Sequence, residues 1–381
     1  MRILHIGQFQ LNSASGAYNA IWNLAKAQAQ LGHQVTIVSP AKSVSKFDKE
    51  RALKDNVVLD SVNFNTFSER WFFGLTKAQY LLDKFNPDII HFQYVREPFY
   101  LSIINVAKKK GIPCIISLHG GWRLGVIKRS KSFLKLSYWF IFDRRIITKC
   151  SGVHFVSDIE YEEYKILQNV KKYVIIPNGV DLEFNEAAID AKNENPNDLF
   201  KIGYLGRFDI QNKGLDLLSE MIKYLMGNNL VIECHLYGKV RSREREQWED
   251  YLKNIKSLPI FAHPPVYGEE KSRVIKSFDL YIQYSRWELF GISIIEAMLA
   301  GVPVAVSEKC DYAKKIEASG GGIVLPMHPH SAAEKISSLI RNRDLLKEMG
   351  IKGRHWAEKE FDPLRIAGEM ISFYEDIIAT K

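Results

Sequence analysis

Short apolar runs alternate with longer amphipathic segments along nearly the whole chain. In the first half, these runs predict strands at 2–7, 34–39, 57–62, 89–92, 113–118, 152–156 and 174–176, with helices such as 16–31, 77–85, 99–110 and 159–167 between them. After residue 200 they predict strands at 201–205, 230–236, 278–284, 303–307 and 323–325, and a last helix over about 363–380. Strands that alternate with helices form parallel sheets covered on both faces, so we predict an α/β protein.

The alternation is interrupted between Asp181 and Asn197, where the sequence is polar, rich in acids and without strand periodicity. A chain of 381 residues is long enough for two domains with a core each. We therefore predict an N-terminal domain over 1–180, an interdomain linker over 181–199, a C-terminal domain over 200–361 and a C-terminal helix over 362–381.

Composition excludes several functional classes. Hydrophobic residues make up 46% of the chain, but no run approaches the roughly 18–20 apolar residues of a membrane span. The first seven residues predict a buried strand and not a signal peptide, because no long apolar region with a cleavage site follows. The four cysteines form no CxxC pair, which argues against a zinc site and predicts a reduced, cytoplasmic setting. A net charge of +8 suits anionic ligands or an anionic membrane surface, and is too small to indicate nucleic acid.

The segment 287–303, WELFGISIIEAMLAGVP, predicts a short apolar helix that ends before Gly301. A helix that is apolar on all sides is buried, yet Glu296 lies in the middle of this one. Since carboxylates are rarely buried unless paired, Glu296 either faces a solvent-filled cleft or accepts hydrogen bonds from a ligand. The plainer alternative is that Glu296 and the preceding Glu288 are ordinary acids on a helix surface.

The start of this helix is a candidate anion site. Phe290, Gly291 and Ile292 would present unpaired backbone N–H groups there, close to Glu288. One acid beside an anion-binding turn and a second acid inside the helix suit a phosphorylated ligand that is rich in hydroxyl groups.

Three other loops follow predicted strands, at the edge where parallel sheets bind ligands. The first, Asn12–Gly16 (NSASG), runs into a helix, and the second carries His119 before two glycines. The third carries Arg207 and Lys213, two cations that would stabilise the charge developing on a leaving diphosphate. The alternatives are an ordinary turn, a structural histidine and a solvated surface pair.

The segment 122–150 interleaves basic and aromatic residues and contains a single acid, Asp143. This composition is typical of a helix seated on a membrane surface. The alternative is a core helix with solvated Lys and Arg side chains, in which the run SYWFIF packs inside.

Several of these motifs together resemble the retaining glycosyltransferases of family 4. The resemblance covers most of the chain, in the order NSASG, HGG, IPNGVD, GR…KG and Glu288-x7-Glu296 within ELFGISIIEAMLAGVPV. It implies the GT-B fold, in which two Rossmann-like parallel-sheet domains face an interdomain cleft and the last helix returns to the first domain. Two departures from the family pattern are Ser15, where a second glycine is usual, and Gly120, where many members have Asp.

The resemblance also implies roles for the candidate residues. Glu296 would bind the ribose of a nucleotide, and Glu288 and His119 would act at the donor sugar as the catalytic residues. The donor diphosphate would be bound by the following residues: Arg207, Lys213, Phe290, Gly291, Ile292 and Gly16. Val266 and Tyr267 precede a predicted helix and are candidates for contact with the nucleobase.

The expected function is transfer of a sugar, with retention, from a UDP- or GDP-sugar to an acceptor hydroxyl. The expected acceptor is a lipid-linked saccharide in surface polysaccharide, lipopolysaccharide or glycan biosynthesis, which the basic aromatic segment would serve by peripheral contact with the inner face of the cytoplasmic membrane. No metal ion or other cofactor is expected, since no DxD-like motif follows a strand. Two alternatives remain: a GT-B sugar-nucleotide epimerase or hydrolase, for which His119 lacks an obvious acid–base partner, and a non-catalytic sugar-nucleotide-binding module.

Overall fold

The computed structural model describes residues 1–9, 16–40, 44–62, 74–122, 137–180, 199–228 and 230–380. The chain divides into two compact units. Unit 1 comprises Met1–Gly179 together with Pro363–Lys381, and unit 2 comprises Val180–Asp362. Except for Leu199, the predicted linker 181–199 lies outside the described residues.

Unit 1 is built on a seven-stranded parallel sheet with the order β3-β2-β1-β4-β5-β6-β7. The strands are β1 (Arg2–Ile6), β2 (Gln34–Ser39), β3 (Val57–Ser61), β4 (Ile89–Gln93), β5 (Cys114–Ser117), β6 (Gly152–Phe155) and β7 (Tyr173–Ile175). The helices between them are α1 (Gly16–Gln30), α2 (Lys46–Lys54), α3 (Leu75–Phe85), α4 (Tyr100–Lys109), α5 (Arg144–Lys149) and α6 (Asp158–Lys165), with a π-helical turn at Trp139–Asp143.

Unit 2 contains a six-stranded parallel sheet with the order β10-β9-β8-β11-β12-β13. Its strands are β8 (Phe200–Arg207), β9 (Ile232–Lys239), β10 (Ile260–His263), β11 (Leu280–Gln283), β12 (Val304–Ser307) and β13 (Gly322–Leu325). Its helices are α7 (Ile210–Lys213), α8 (Leu215–Gly227), α9 (Arg245–Asn254), α10 (Gly268–Lys276), α11 (Ile292–Leu299), α12 (Ala313–Ala318), α13 (Pro329–Ile340) and α14 (Arg343–Glu360), and a 3₁₀ turn lies at Ser242–Glu244.

The last helix, α15 (Pro363–Ala379), belongs to unit 1. Its apolar side chains, among them Ile366 and Met370, share a core cluster with Ile21 and Ala25 of α1. The same face of α15 also buries the hydroxyl-bearing side chain of Tyr374. The C-terminal helix therefore completes the core of the N-terminal sheet.

The central strands of unit 1 are buried at every position, as is usual for parallel strands covered on both faces. Their sequences, IIHFQ, CIIS and GVHF, are nevertheless not purely apolar. Buried polar groups need hydrogen-bond partners, so the fold must pair these polar side chains as well as pack the apolar core.

The structure confirms the expected fold class, two Rossmann-like parallel sheets. The predicted strands and helices are present with ends shifted by one to three residues, and the strand at 34–39 matches β2. Elements that the sequence patterns did not identify include α2, α9, α12 and β10. β10, with the sequence IFAH, is a four-residue edge strand in which only Ile260 is buried. Within the described residues, no helix combines the length and apolar character that crossing a membrane requires.

Candidate active site

Arg207 and Lys213 lie at the carboxyl end of the central strand of unit 2. Arg207 is the last residue of β8, and Lys213 ends the single turn of α7. The Asn212 N–H group of this turn donates to the carboxylate of its N-cap residue Asp209. Gly214 follows with a φ of 63°, and a Cβ atom there would lie 2.1 Å from the carbonyl oxygen of Tyr284. A glycine is required because of both the left-handed backbone and this close approach.

Glu288 lies directly against Lys213. The Lys213 Nζ atom is 2.5 Å from the Glu288 Oε2 atom, and these side chains are only 14% and 12% exposed. The same oxygen accepts hydrogen bonds from Gln283 Nε2 at 3.1 Å and from Ser285 Oγ at 3.2 Å. Glu288 is therefore a held, ion-paired carboxylate and not an ordinary surface acid.

Glu296 is buried in α11, with 5% of its surface exposed. It forms an ion pair with Lys271 of α10. The sequence predicted a solvent-filled cleft or a ligand beside Glu296, and the structure adds Lys271 as a charged neighbour. Because the pair is almost removed from water, a ligand hydroxyl that reaches Glu296 meets a carboxylate whose charge is already partly compensated.

The start of α11 has the geometry of an anion-binding turn. Gly291 is its N-cap residue, with a φ of 67°. No backbone partner is found in the described residues for the N–H groups of Phe290, Gly291 and Ile292. The side chain of Phe290 does not line this turn, because it packs in the core against Tyr312 and Phe361. Of Phe290, only the backbone is therefore available to a ligand.

Val266 and Tyr267 lie immediately before α10, the helix that carries Lys271. Tyr267 is the N-cap residue of this helix and 41% of its side chain is exposed. At the neighbouring strand ends the rings of Tyr237 and His263 stack with 4.4 Å between their centroids. The predicted nucleobase residues and the partner of Glu296 thus belong to one short stretch of chain.

Three residues of this region were missed by the sequence analysis: Lys271, Gln283 and Arg241. Burial lowers the pKa of the Arg241 guanidinium, and the neighbouring Arg207 cation lowers it further. Arg241 follows the carboxyl end of β9, and this position was a signal that could have identified it. Lys271 and Gln283 carry no such local signal, because only the packing of separate elements brings them to the two acids.

His119, the candidate catalytic residue of unit 1, follows β5 with a φ of 47°. Its Nε2 atom lies 2.9 Å from the Oε1 atom of Gln93 at the end of β4, and its ring lies 4.7 Å from that of Tyr94. Burial lowers the pKa of His119 to about 3, so the imidazole is neutral at physiological pH. Non-glycine residues with such a backbone conformation are strained and cluster at functional sites.

The loop after His119 is held by a buried acid. The backbone N–H groups of Gly120 and Val156 both donate to the carboxylate of Glu160, which is 2% exposed. A carboxylate is thus close to His119 even though the chain lacks the usual Asp at position 120, but it is committed to two backbone groups.

Gly16 begins α1, and the rest of the predicted loop, 12–15, lies outside the described residues. Beside α1, a small cavity of unit 1 is lined by Ile21, Gln93, His119, Asn178 and Met370, among others. The IPNGVD turn thus contributes Asn178 to the cavity wall that contains His119.

Of the basic aromatic segment, residues 122 and 137–150 are described, and 123–136 lie outside the described residues. Trp139 is buried in the core of unit 1, where its ring lies 4.9 Å from that of Trp122. Phe140 and Ile141 are 54% and 49% exposed, and Arg144 and Arg145 are exposed as well. The run SYWFIF therefore has one side in the core and one side at the surface.

The four cysteines are free thiols, and no group of His, Cys, Asp and Glu suited to a metal ion is found in the described part of the chain. The predicted residues fall into two sets. Unit 1 holds His119 and Gly16. Unit 2 holds the predicted donor residues: Arg207, Lys213, Val266, Tyr267, Glu288, Phe290, Gly291, Ile292 and Glu296.

Two family models match consecutive parts of the chain. Glycosyltransferase Family 4 matches residues 14–184, and Glycosyl transferases group 1 matches residues 185–356. The chain is 23% identical, over 79% of its length and 78% of the relative, to UDP-Gal:alpha-D-GlcNAc-diphosphoundecaprenol alpha-1,3-galactosyltransferase of Escherichia coli. It is 25% identical, over 86% of its length and 81% of the relative, to phosphatidyl-myo-inositol mannosyltransferase of Mycolicibacterium smegmatis.

The fold is similar to that of Anabaena HepE in complex with UDP, with a TM-score of 0.77, 16% identity, and coverage of 99% of this chain and 100% of that one. The two family models together span most of the chain, in the order of the two units. The chain belongs to family 4 of the glycosyltransferases and has the GT-B fold.

Proposed function

We propose that this glycosyltransferase, which takes its sugar from a nucleotide-sugar donor, transfers it with retention and without a metal ion to a lipid-linked saccharide. The observation that carries the proposal is the pair of buried ion pairs in unit 2, Lys213 with Glu288 and Lys271 with Glu296. Each places a cation and an acid where a ligand with both phosphates and hydroxyl groups can exchange partners with them.

The diphosphate of the donor binds Arg207, Lys213 and the N–H groups at the start of α11. When the phosphates arrive, Lys213 turns from Glu288 to them, and Glu288 becomes free to accept a hydrogen bond from the donor sugar. Glu296 binds the ribose hydroxyls. Fixed cations and backbone dipoles stabilise the charge that develops on the leaving nucleoside diphosphate, which is the task a metal ion performs elsewhere.

Retention follows from attack on the same face that the diphosphate leaves. The acceptor hydroxyl forms the new bond to the anomeric carbon as the bond to the diphosphate oxygen breaks, and its proton passes to the diphosphate. Glu288 is poorly suited to be a covalent nucleophile, since its Oε2 atom keeps the hydrogen bonds from Gln283 and Ser285 when Lys213 turns to the phosphates. His119 binds a hydroxyl group of the sugar.

The two alternative functions fit the site less well. An epimerase or hydrolase needs an acid–base pair, whereas the partner of His119 is the neutral amide of Gln93, and the lowered pKa makes His119 a weak base. A non-catalytic module has no need for a strained histidine beside a cavity.

The nature of the acceptor rests on two observations. Both bacterial relatives have names that specify acceptors carrying a lipid, a diphosphoundecaprenol and a phosphatidyl-myo-inositol. In this chain, Phe140 and Ile141 are exposed beside Arg144 and Arg145, as suits contact with an anionic membrane on the cytoplasmic side.

The donor site is tested first by thermal unfolding in EDTA, with UDP, GDP, ADP and their common sugars. One nucleotide should raise the melting temperature of the wild type and of Glu308→Ala, an exposed acid, but not that of Glu296→Ala. If the response of Glu296→Ala equals that of the wild type, the ribose contact is wrong. If no nucleotide raises the melting temperature of the wild type, donor binding at this site is wrong.

Transfer is tested with the nucleotide sugar so identified, by comparing lipid-linked and free saccharide acceptors in EDTA. Proton NMR of the product should show the anomeric configuration of the donor. Free sugar without a disaccharide product would identify a hydrolase. An inverted anomeric centre would contradict retention, and a requirement for Mg²⁺ or Mn²⁺ would contradict a metal-free mechanism.

Membrane contact is tested by sedimentation with vesicles of phosphatidylglycerol and phosphatidylcholine. Phe140→Ser with Ile141→Ser should reduce binding to the anionic vesicles while leaving nucleotide binding unchanged. The matched control is Ile351→Ser, an exposed apolar residue of α14. Equal binding of wild type and the double variant would contradict membrane contact through this surface.

A further inference from the structure

The core of unit 1 contains a continuous chain of hydrogen-bonded polar side chains. We call it the buried polar chain, and define it as the following residues in bonding order: His119, Gln93, His5, Gln28, Tyr374, His91, Ser117 and His154, ending on the carbonyl oxygen of Ile176. Seven of its members come from β1, β4, β5, β6, α1 and α15, and His119 lies in the loop after β5. Seven of the eight side chains are almost completely buried, and His119 at one end lines the cavity.

The end at Ile176 determines the direction of the bonds. A backbone carbonyl can only accept, so the His154 Nε2 atom, 2.8 Å away, carries a proton. A neutral His154 then has a bare Nδ1 atom, to which Ser117 Oγ donates at 2.6 Å. Having used its single proton, Ser117 accepts from His91 Nε2, also at 2.6 Å. His91 is thus a second Nε2–H tautomer.

The direction of the bonds is fixed in the same way from Tyr374 of α15 to His5 of β1. The bare Nδ1 atom of His91 accepts from the Tyr374 hydroxyl at 2.7 Å, so Tyr374 accepts from the amide nitrogen of Gln28 at 3.2 Å. The carbonyl oxygen of Gln28 is then left to accept from His5 Nε2 at 2.7 Å. His5 is the third Nε2–H tautomer, and its bare Nδ1 atom needs a donor.

That donor is the amide nitrogen of Gln93, 3.0 Å from His5 Nδ1. The amide oxygen of Gln93 therefore points the other way and accepts from His119 Nε2 at 2.9 Å. The backbone carbonyl of Ile176, the residue after β7, thus determines the proton position on His119 through eight successive hydrogen bonds. Each of the eight hydrogen bonds pairs one donor with one acceptor.

Burial keeps the four imidazoles of the buried polar chain neutral. Desolvation lowers the pKa of His5 and of His154 to about 4, and it lowers the pKa of His91 well below its ordinary value. The pKa of His119 is lowered by the same cause. At neutral pH each ring therefore carries one proton, whose position its neighbours decide.

We propose that the buried polar chain holds His119 as the Nε2–H tautomer, so that its bare Nδ1 atom accepts a hydrogen bond from a hydroxyl group of the sugar substrate. Gln93 and Tyr374 are then positioning residues for His119, although Tyr374 lies on the last helix of the chain. The role of the Nδ1 atom rests on the proposed function, whereas the tautomer itself does not.

The tautomers are measured by long-range ¹H–¹⁵N correlation NMR of protein labelled with [¹⁵N]histidine, at pH 7 and without ligand. Single His→Gln variants assign the four rings. All four should appear as Nε2–H tautomers. An Nδ1–H or a mixed population for His119 in the wild type would overturn the inference.

Two variants test whether the proton position is transmitted. Tyr374→Phe interrupts the chain at its middle, so His91 and His154 should remain Nε2–H, while His5 and His119 lose the constraint and become mixed. Ser117→Ala interrupts it nearer to Ile176 and should release His91 as well. An unchanged His119 in both variants would overturn the inference, whatever the activity.

The matched control is Tyr164→Phe, which removes another buried tyrosine hydroxyl of unit 1, one without a hydrogen-bond partner among the described residues. It should leave all four tautomers unchanged. A general loosening of the core would instead affect the control too.

The role of the Nδ1 atom is tested by kinetics. Tyr374→Phe should lower kcat for sugar transfer by roughly two- to tenfold, the size of one lost or weakened hydrogen bond, with the KM for the donor nucleotide sugar little changed. If the tautomer of His119 changes and transfer does not, the assignment of Nδ1 as the acceptor is overturned. Donor binding is judged separately by the Glu296→Ala melting experiment, so failure of the proposed function is distinguishable.

Discussion

The polar residues near the strand ends of unit 2 are mainly charged and paired, whereas those that support His119 in unit 1 are neutral. In unit 2 the pairs are Lys213 with Glu288, Lys271 with Glu296 and Arg286 with Asp216. In unit 1 the buried polar chain consists of imidazoles, amides and hydroxyls. The two units have similar sheets, so the difference lies in side chains and not in architecture.

Charged pairs and neutral hydrogen-bonded chains are suited to different tasks. An ion pair can exchange one partner for a phosphate or a hydroxyl without leaving a buried charge alone. A chain of neutral hydrogen bonds cannot exchange partners in that way, but it can keep each donor and acceptor in one orientation. Unit 2 is suited to binding and releasing an anion, and unit 1 to presenting a fixed acceptor.

The largest effect should come from removing a cation of unit 2. Lys213→Ala leaves the Glu288 carboxylate without its charged partner and removes a donor to the leaving diphosphate, so kcat/KM for transfer should fall about a hundredfold. Stability in urea should also fall, by about 1–3 kcal/mol. The control is Lys253→Ala, in an exposed ion pair with Asp250, which should change neither. If Lys213→Ala keeps its activity, the charged pair in unit 2 is not needed for transfer, and the proposed contrast between the units is wrong.

A second prediction concerns acid. The folded state of unit 1 does not take up protons on its buried histidines until the pH approaches the lowered pKa values, about 4 for His5 and His154. The unfolded state takes them up near the ordinary pKa of about 6.5, so stability is complete above that pH and is lost as pH falls from 6.5 to 4. For each such histidine, the free energy of unfolding falls by up to about 1.4 kcal/mol for every pH unit below 6.5.

Asp143 acts in the opposite direction over part of this range, because burial raises the pKa of its carboxyl to about 6. The four histidines of the buried polar chain, whose pKa values are lowered, outnumber this carboxyl, so hydrogen exchange at pH 7, 6 and 5 should still show unit 1 losing protection faster than unit 2. His5→Gln should flatten the dependence by about one proton. Equal acid sensitivity of the two units would contradict the contrast.

The third prediction concerns the turn that holds Glu288. Gly291→Ala places a Cβ atom 2.4 Å from Ile294 Cδ1 and 3.2 Å from Glu288 Cγ, on a left-handed backbone. It should lower stability by about 1–3 kcal/mol and nucleotide affinity by roughly tenfold. Gly301→Ala is the control, since Gly301 is also left-handed but has no atom within 4 Å of the added Cβ. Equal effects of the two variants on affinity would show that the turn geometry is unimportant.

The smallest effect is expected from a charge introduced into unit 1. Gln93→Glu places a carboxylate at 2.9 Å from His119 Nε2 and should raise the pKa of His119 toward its ordinary value. Protonated His119 has no bare nitrogen, so transfer by the variant should fall several-fold between pH 8 and pH 6, in contrast to the wild type. The pH profile of kcat/KM measures this, and parallel profiles would contradict the role of the neutral ring.

Much of the fold was predictable from local pattern. The strands of both sheets are apolar runs bounded by turn residues, and even the short helix α11 was identified from its apolar residues and the Gly301 that follows it. β10 was not, since only one of its four residues is buried and it lies at a sheet edge. An edge strand is stabilised by pairing with its neighbour, here β9, and this contact is not visible in four residues of sequence.

Part of the candidate site was also visible as local sequence pattern. Arg207, Lys213 and Glu288 follow strands or precede a helix, and such positions are visible in the sequence. The sequence offered no acid–base partner for His119, and in the structure its neighbour is the neutral amide of Gln93, at the end of the adjacent strand β4. The order of strands in the sheet was needed to bring these two residues together.

Local sequence pattern was thus enough to locate the strand ends, the start of α11 and the acids and cations near them, because periodicity and turn chemistry act over a few residues. Only the tertiary structure decided which partner each side chain has. Glu296 meets Lys271 across 25 positions, His119 meets Gln93 across 26, and His91 meets Tyr374 across 283. Such contacts depend on strand order and helix packing, and they decide the charge and proton position of the groups that are proposed to act on the substrate.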